Sequence, residues 1–513
     1  IRRVNMEKNF GAENWKDYIP VPVDDEHPEY LDFYYKAWEL AYRHIKSIPG
    51  MPQNPYMDEA FCETQIWIWD TCFMKLFCKY ARTVFPGVES FKNFYDVLYG
   101  KKHLPTVIPP ENEPTWTGAE PGKPYEIKVH IADNPPLFAW AEYENALFGG
   151  DKEYIKELLD KHDLQKHYEW IEGLHEFTTP DGVLCNTCLI SEKDGYKWEG
   201  GRSGMDNTPR GRKGSRAEEE RPNNPDLLWI DAICQQALSA LMIAKLYALI
   251  GDKENEEQWL KKHEEKKNIV NSLYWDEKDK FYYDIDCNSH DFCRVMTPAS
   301  FWTLISEIPD SERAAALTGH IENPDELGGF VPLISLARND SDYSPSGKYW
   351  RGALWLPTAY MTLKGLVKYG FFDKAHFAAA KMLEHMYRTY VDYSPHTIWE
   401  CYNPEKYEPS VDTREIKRVK PDFCGWSALG PISAYIEFVL GFYETDAFAK
   451  TVRWAKPNGK GGKTGIKNLR FGDIVTDIVA EGNSCFVSTN MPYTLEINGK
   501  SYQIEAGENT IRI

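Results

Sequence analysis

The sequence predicts a mainly helical protein: an (α/α)6 barrel followed by a small C-terminal antiparallel β-domain. Three observations predict it. Apolar and aromatic residues recur at helical spacing in about twelve segments between residues 29 and 442. Short turns and long loops alternate between these segments, so neighbours run antiparallel and the long loops gather at one end of the bundle. From about residue 446 the period drops to two, with turn signals such as Asn498-Gly499 between short runs. No fixed-period repeat is visible, which argues against a solenoid.

In chain order, residues 1–29 are polar and irregular and read as an N-terminal arm; residues 30–445 would form the barrel and 446–513 the β-domain. Tyr30, Phe33, Tyr34, Trp38 and Tyr42 mark a first helix over 29–45. A second runs over 65–84 and stops at Pro86-Gly87, and a shorter one covers 89–99. A long loop occupies 101–133. Helices follow at 136–148, stopped by Gly149-Gly150, at 152–177, and at 226–250 and 253–274, the last two divided by Gly251-Asp252. Trp275-Asp276 and Phe281–Asp284 suit a short hairpin. Helices resume at 297–308, 311–319, 355–369, 373–391 and 426–442.

Composition bounds the function. A formal charge of −19 disfavours a polyanionic partner such as nucleic acid, or an anionic bilayer. The one basic cluster, Arg210–Arg216, runs into Glu218, Glu219 and Glu220 and reads as a solvated loop. No apolar run reads as a membrane span, so no membrane insertion is expected. Eleven cysteines, most inside helical patterns, read as free thiols and imply a cytoplasmic protein, with a periplasmic or secreted one the alternative. Cys185 and Cys188 lack a second pair to complete a zinc site. Aromatics reach 14%, a supply of flat faces that suit sugar rings as well as cores. The oligomeric state is not legible.

The long loops concentrate the chemistry. Trp198–Arg210 holds Asp206 between Ser203-Gly204-Met205 and Asn207-Thr208-Pro209, a stiff turn-rich segment between two helices. Trp67-Ile68-Trp69-Asp70 and Asn134-Pro135-Pro136 open helices, and Tyr349-Trp350-Arg351-Gly352-Ala353-Leu354-Trp355 precedes another. His396–Pro404 contains Trp399-Glu400, and Trp426 opens the last helix. Each of these alone has a structural explanation: Trp67 and Trp69 as core, Arg351 as an ion-pair partner, Glu400 as a cap, Asp206 in an Asx-turn. Together they give the rings, fixed donors and fixed acceptors that a carbohydrate pocket needs.

The run Ser203–Arg210, the WxWD at 67–70, the YWRGxxW at 349–355 and Trp399-Glu400 together resemble the inverting glycoside hydrolases of family 63. That group's relatives include trehalases and mannosylglycerate-hydrolase-like bacterial enzymes. The resemblance covers roughly residues 30–442, with the motifs in the family's order. It implies Asp206 as general acid and Glu400 as general base. It also implies Trp69, Asp70, Trp350 and Arg351 around the sugar, with Trp67, Asn134, Asp231, Gly352, Trp355, Trp399 and Trp426 as further substrate contacts. Three departures leave the substrate open. The N-terminal β-domain of processing α-glucosidase I is absent, trehalase signatures are incomplete, and Asp422–Trp426 differs from the family's His-Gly-Trp pattern.

Inverting hydrolysis needs one protonated carboxyl at the glycosidic oxygen and one carboxylate holding water on the opposite face. Trp198 and Met205 beside Asp206 suit a carboxyl kept protonated near neutrality, and Arg351 is expected nearer Glu400 or a sugar hydroxyl. The reaction needs no metal or other cofactor, although Asp340-Ser341-Asp342 is a candidate calcium loop without EF-hand spacing. The expected function is therefore an exo-acting inverting hydrolase of α-glucosidase type. The rivals are another (α/α)6 enzyme (phosphorylase, lyase or epimerase) and a carbohydrate-binding protein without catalysis. A phosphorylase would need a phosphate site, for which Arg210–Arg216 is the candidate.

Overall fold

The computed structural model describes residues 8–47, 53–60, 66–101, 107–108, 135–173, 189–198, 203–458 and 461–513. The chain is mainly helical with a sheet region at its C-terminal end. Its main helices are α1 (Tyr30–Arg43), α2 (Ile68–Cys78), α3 (Gly87–Lys101), α4 (Phe138–Gly149), α5 (Lys152–Asp160), α6 (Asp163–Glu172), α7 (Ile230–Ile250), α8 (Lys253–Leu273), α9 (Trp302–Ile305), α10 (Ser311–Glu322), α11 (Leu356–Lys368) and α12 (Phe372–Asp392). Two expected helices differ. The one over 152–177 is split into α5 and α6 by His162, which takes φ 60° between them. The last, over 426–442, is a 3-10 turn at Ser427–Leu429 followed by a π-helix over Gly430–Val439.

Sequence dictates which helices lie inside. All of α2 is buried, as are 11 of the 12 residues of α4 and nearly all of α7, because these helices are apolar on every face. By length and composition α7 would qualify as a membrane span, against the expectation that no run does; 78% of its apolar window is instead buried in the core. α8 and α12 carry polar outer faces and bury one stripe each. The packing contacts run from α2 to α4, α4 to α7, α7 to α9, α9 to α11, α11 to the π-helix, and back to α2. α3, α8 and α12 lie against members of that ring. Trp67, Trp229 and Trp355 are the N-cap residues of α2, α7 and α11, and Trp426 precedes the 3-10 turn, so those four N-terminal ends each begin on a tryptophan.

The expected N-terminal arm is tied down where described. Trp15 and Ile19 are buried, and Val21–Asp24 pairs antiparallel with Lys463–Phe471. It thus becomes the edge of a five-stranded sheet that continues through Ile474–Glu481, Ser484–Thr489 and Gly507–Arg512. The second sheet orders Glu444–Asp446, Thr451–Trp454, Tyr493–Ile497 and Lys500–Ile504. It is not purely antiparallel as expected: Thr451–Trp454 and Tyr493–Ile497 run parallel. The chain leaves the first of these strands, builds three strands of the other sheet, and returns in the same direction. The hairpin of Trp275–Asp276 with Phe281–Tyr282 forms as expected.

Candidate active site

Glu400 lies in the loop after α12, pinned through its backbone. Its N–H donates to Lys420 O at 2.9 Å, and its carbonyl accepts from Trp426 Nε1 at 2.8 Å and Ser427 Oγ at 3.1 Å. The carboxylate is buried and held by both oxygens: Tyr349 Oη donates to Oε1 at 2.6 Å and the Lys420 N–H donates to Oε2 at 3.1 Å. Burial pushes its pKa above the ordinary glutamate value. The Tyr349 and Lys420 hydrogen bonds oppose that rise, and the charge of Asp206 adds to it.

Asp206 sits in a turn closed by Thr208 N–H donating to Met205 O at 3.0 Å. Gly204 takes φ +85°, and a Cβ there would stand 3.1 Å from the Trp69 ring, so glycine lets the acidic loop lie flat on that indole. Arg221 approaches the Asp206 carboxylate at 3.3 Å. Asn207, fully buried, ties this loop to the segment ahead of α11. Its Nδ2 donates to Lys348 O at 3.0 Å, and its Oδ1 accepts from Trp350 N–H at 2.8 Å.

Asp70 stands in the first turn of α2. Burial first, then the charges of Glu400 and Asp206, push its pKa well above the ordinary aspartate value. Asp206 and Glu400 likewise raise the Tyr349 phenol. Three carboxyls and one phenol, drawn from four distant parts of the sequence, therefore share one electrostatic neighbourhood. Trp350 and Trp355 stack beside it with centroids 4.1 Å apart, Tyr349 meets the Trp355 ring edge-on at 4.7 Å, and Trp426 lies 5.6 Å from Trp355.

The remaining candidates divide. Trp69 packs on Phe73 and beneath Gly204, the Trp67 N–H donates to Glu59 Oε2 at 3.4 Å, and the Trp399 N–H donates to Tyr402 Oη at 3.1 Å. Gly352 takes φ +146° where a Cβ would strike Ser344 O at 2.8 Å, so it is a close-approach glycine. Arg351 does not reach Glu400. Its guanidinium donates to the carbonyls of Asn207, Glu219 and Glu220 and lies 3.6 Å from Asp342. Asn134 lies outside the described residues, as do Cys185, Cys188 and residues 199–202 of the Asp206 loop.

Asp231 is not a free sugar contact. Arg210 Nη1 and Nη2 donate to it at 2.6 and 3.0 Å, and the same guanidinium grips Asp284 at 2.8 and 2.5 Å, all 1–2% exposed. The basic cluster is correspondingly not a solvated loop at its start. Arg210 is buried, and Arg212 donates to Asp340 and Asp342, so these acidic side chains hold a guanidinium. Among the described residues no group of carboxylates, histidines and cysteines is arranged to hold a metal. The eight cysteines among the described residues are free.

The sequence did not mark Tyr349, Asn207 or Arg221 as working residues, though the first two stand inside the motifs quoted above, and Arg210 entered only as part of a candidate phosphate cluster. Adjacency was the available signal: Asn207 follows the acidic residue, and Tyr349 opens YWRGxxW.

The chain belongs to the family described as the Mannosylglycerate hydrolase MGH1-like glycoside hydrolase domain, whose profile matches residues 65–414. It is 25% identical over 309 residues to mannosyl-oligosaccharide glucosidase of Saccharomyces cerevisiae, covering 54% of this chain and 34% of that protein. It is 31% identical over 109 residues to mannosylglycerate hydrolase of Rubrobacter radiotolerans, covering 21% of this chain and 24% of that one. The chain thus spans well under half the length of these two curated relatives. The crystal structure of the family 63 mannosylglycerate hydrolase from Thermus thermophilus in complex with glucose superposes with a TM-score of 0.56 at 18% identity, over 78% of this chain and 99% of that one. That likeness bears on fold.

Proposed function

We propose that the chain is an inverting, exo-acting glycoside hydrolase of α-glucosidase type, with Asp206 as general acid and Glu400 as general base. The observation that carries this is the shared site: the two carboxyls feel each other's charge, and Glu400 is aimed through both oxygens by Tyr349 and the Lys420 N–H. A base that must hold one water in line needs such fixed geometry, whereas the acid needs a proton and access to the leaving group. Asp206 is the more exposed of the two, with 34% of its side chain accessible.

The contact ring of α2, α4, α7, α9, α11 and the π-helix supports an (α/α)6 barrel over residues 30–445. On this reading the sugar site lies at the end of the barrel where these four helix termini begin on a tryptophan. The sheets of 446–513, joined by Val21–Asp24, make a second unit. Asp70, Trp69, Trp350, Trp355 and Trp426 line the sugar site in this proposal. Phosphorolysis is the weaker alternative, because Arg210 and Arg212 are both committed to carboxylates.

The test is the anomeric configuration of the first product, read by proton NMR before mutarotation. Substrates would be glucosides, glucose-terminated mannosyl oligosaccharides, trehalose and mannosylglycerate. Release of sugar with inverted configuration supports the proposal; retained configuration would make one carboxylate a nucleophile and overturn it.

A further inference from the structure

Tyr349, the residue that aims Glu400, has an uncommon backbone. It takes φ 62° and Lys348 before it takes φ 35°, two consecutive non-glycine residues in the left-handed region. That region is sparsely populated for residues with a Cβ, and a bulky aromatic is among the poorest fits, so the surroundings must enforce it. The enforcing group is visible. The side-chain amide of Asn207 donates to the carbonyl of Lys348 and accepts from the N–H of Trp350, the two residues flanking Tyr349. Only one orientation of the amide satisfies both bonds, so Asn207 reads the direction of the strained peptide as well as its place. The Tyr349 N–H donates to Val411 O, and its carbonyl accepts from Trp355 Nε1 at 3.1 Å. With its backbone fixed on every side, the phenol meets Glu400 Oε1 at 2.6 Å.

We propose that Asn207 is the positioning residue that couples the two halves of the site: it brackets Tyr349 in its left-handed conformation and so aims Glu400, while its own backbone carries Asp206. This rests on the assignment of Asp206 and Glu400 above. One side chain then joins the acid loop to the base's hydrogen-bond donor. The spacing that inversion requires is set by a rigid amide bridge rather than by two independent loops.

A role through the base has a signature that a role through the acid loop lacks. Tyr349 donates to the ionised carboxylate and lowers the Glu400 pKa, so losing the aimed phenol raises it. Asn207→Ala should therefore move the acid limb of the kcat/KM profile upward by about one pH unit. It should slow an alkyl glycoside and a glycosyl fluoride alike, by about tenfold or more. Tyr349→Phe, which leaves the backbone intact, should do the same. The double variant should be no worse than the more impaired single variant, since both remove one interaction.

Folding is checked by near-ultraviolet circular dichroism and thermal melts, and Asn207→Ser replaces Asn207→Ala if the latter does not fold. An unmoved acid limb, a loss confined to the alkyl glycoside, or additive losses in the double variant would overturn the proposal, as would failure of both Asn207 variants to fold. The underlying assignment fails separately and recognisably, if Glu400→Gln keeps wild-type hydrolysis or the wild-type product retains configuration.

Discussion

Arg221 holds its guanidinium 3.3 Å from the Asp206 carboxylate while remaining more than half exposed. If Asp206 is the general acid proposed above, it stands at the glycosidic oxygen, and a cation beside it would face the leaving group. Arg221 should therefore favour a leaving group that carries a negative charge. Arg221→Gln is expected to raise KM for a glycoside with a carboxylate aglycone by about two- to fivefold, as an exposed charge pair allows. KM for the matching neutral methyl glycoside should move little. The preference should also weaken with added salt, because the site is open to screening. Equal effects on both substrates would remove Arg221 from the leaving-group site.

The two carboxyls should respond to substitution differently. Asp206→Asn removes the proposed proton donor, so an alkyl glycoside should become almost inert while a glycosyl fluoride, whose leaving group needs less protonation, retains more activity. Glu400→Gln removes the group proposed to orient water and should depress both substrates alike. In the wild-type enzyme the acid limb of kcat/KM should lie above the ordinary glutamate range, because burial raises Glu400 and its hydrogen bonds only partly offset that. An acid limb at the value of a free glutamate would mean that another group titrates.

Much of this arrangement was legible before the structure. α8 keeps one buried stripe over 21 residues, α7 is a continuous apolar run of the same length, and Gly251 between them takes the left-handed C-cap that its position suggests. The motifs around Asp206 and Glu400 are compact enough to be read from the sequence, and the two carboxyls do lie in one electrostatic neighbourhood. What was not legible depended on partners far along the chain. Val21–Asp24 looked irregular because its pairing strand lies more than 400 residues away. Arg210 looked solvated because Arg212, Lys213 and Arg216 surround it in sequence, while its carboxylates come from α7 and the strand Asp284–Asp286. The π-helix was hidden because an apolar run of ten residues reads the same whether its hydrogen bonds span four residues or five.

The Arg210 clamp makes a stability prediction. One guanidinium pairs with two buried carboxyls and lies 4.5 Å from the Trp229 ring centroid. Arg210→Ala would leave Asp231 and Asp284 buried without their cation, a change worth roughly 3–5 kcal/mol for a broken buried pair. Chemical denaturation should show that loss. Arg210→Met combined with Asp231→Asn and Asp284→Asn should recover a large part, since it removes the stranded charges as well as the cation. A single Arg210→Ala variant as stable as wild type would mean that water already compensates the two acids.

Asp70 should trade stability for function, and the trade should depend on pH. Its carboxyl is raised well above the ordinary value by burial and by the neighbouring charges of Glu400 and Asp206, so the folded state holds this proton more tightly than the unfolded chain does. The stability contributed by that tighter binding is complete below the unfolded value and is lost as pH rises towards the folded one. Above the unfolded value the folded protein therefore holds a proton that the unfolded chain gives up more readily. Asp70→Asn keeps the shape and removes the titration. It should raise the melting temperature at pH 8, by an amount corresponding to about 1–2 kcal/mol, and should do little at pH 4. Activity should fall in the same variant, because the amide replaces a carboxyl that can either donate or accept at that oxygen with an NH2 group that can only donate. Equal melting shifts at both pH values would show that Asp70 is not held protonated by its neighbours.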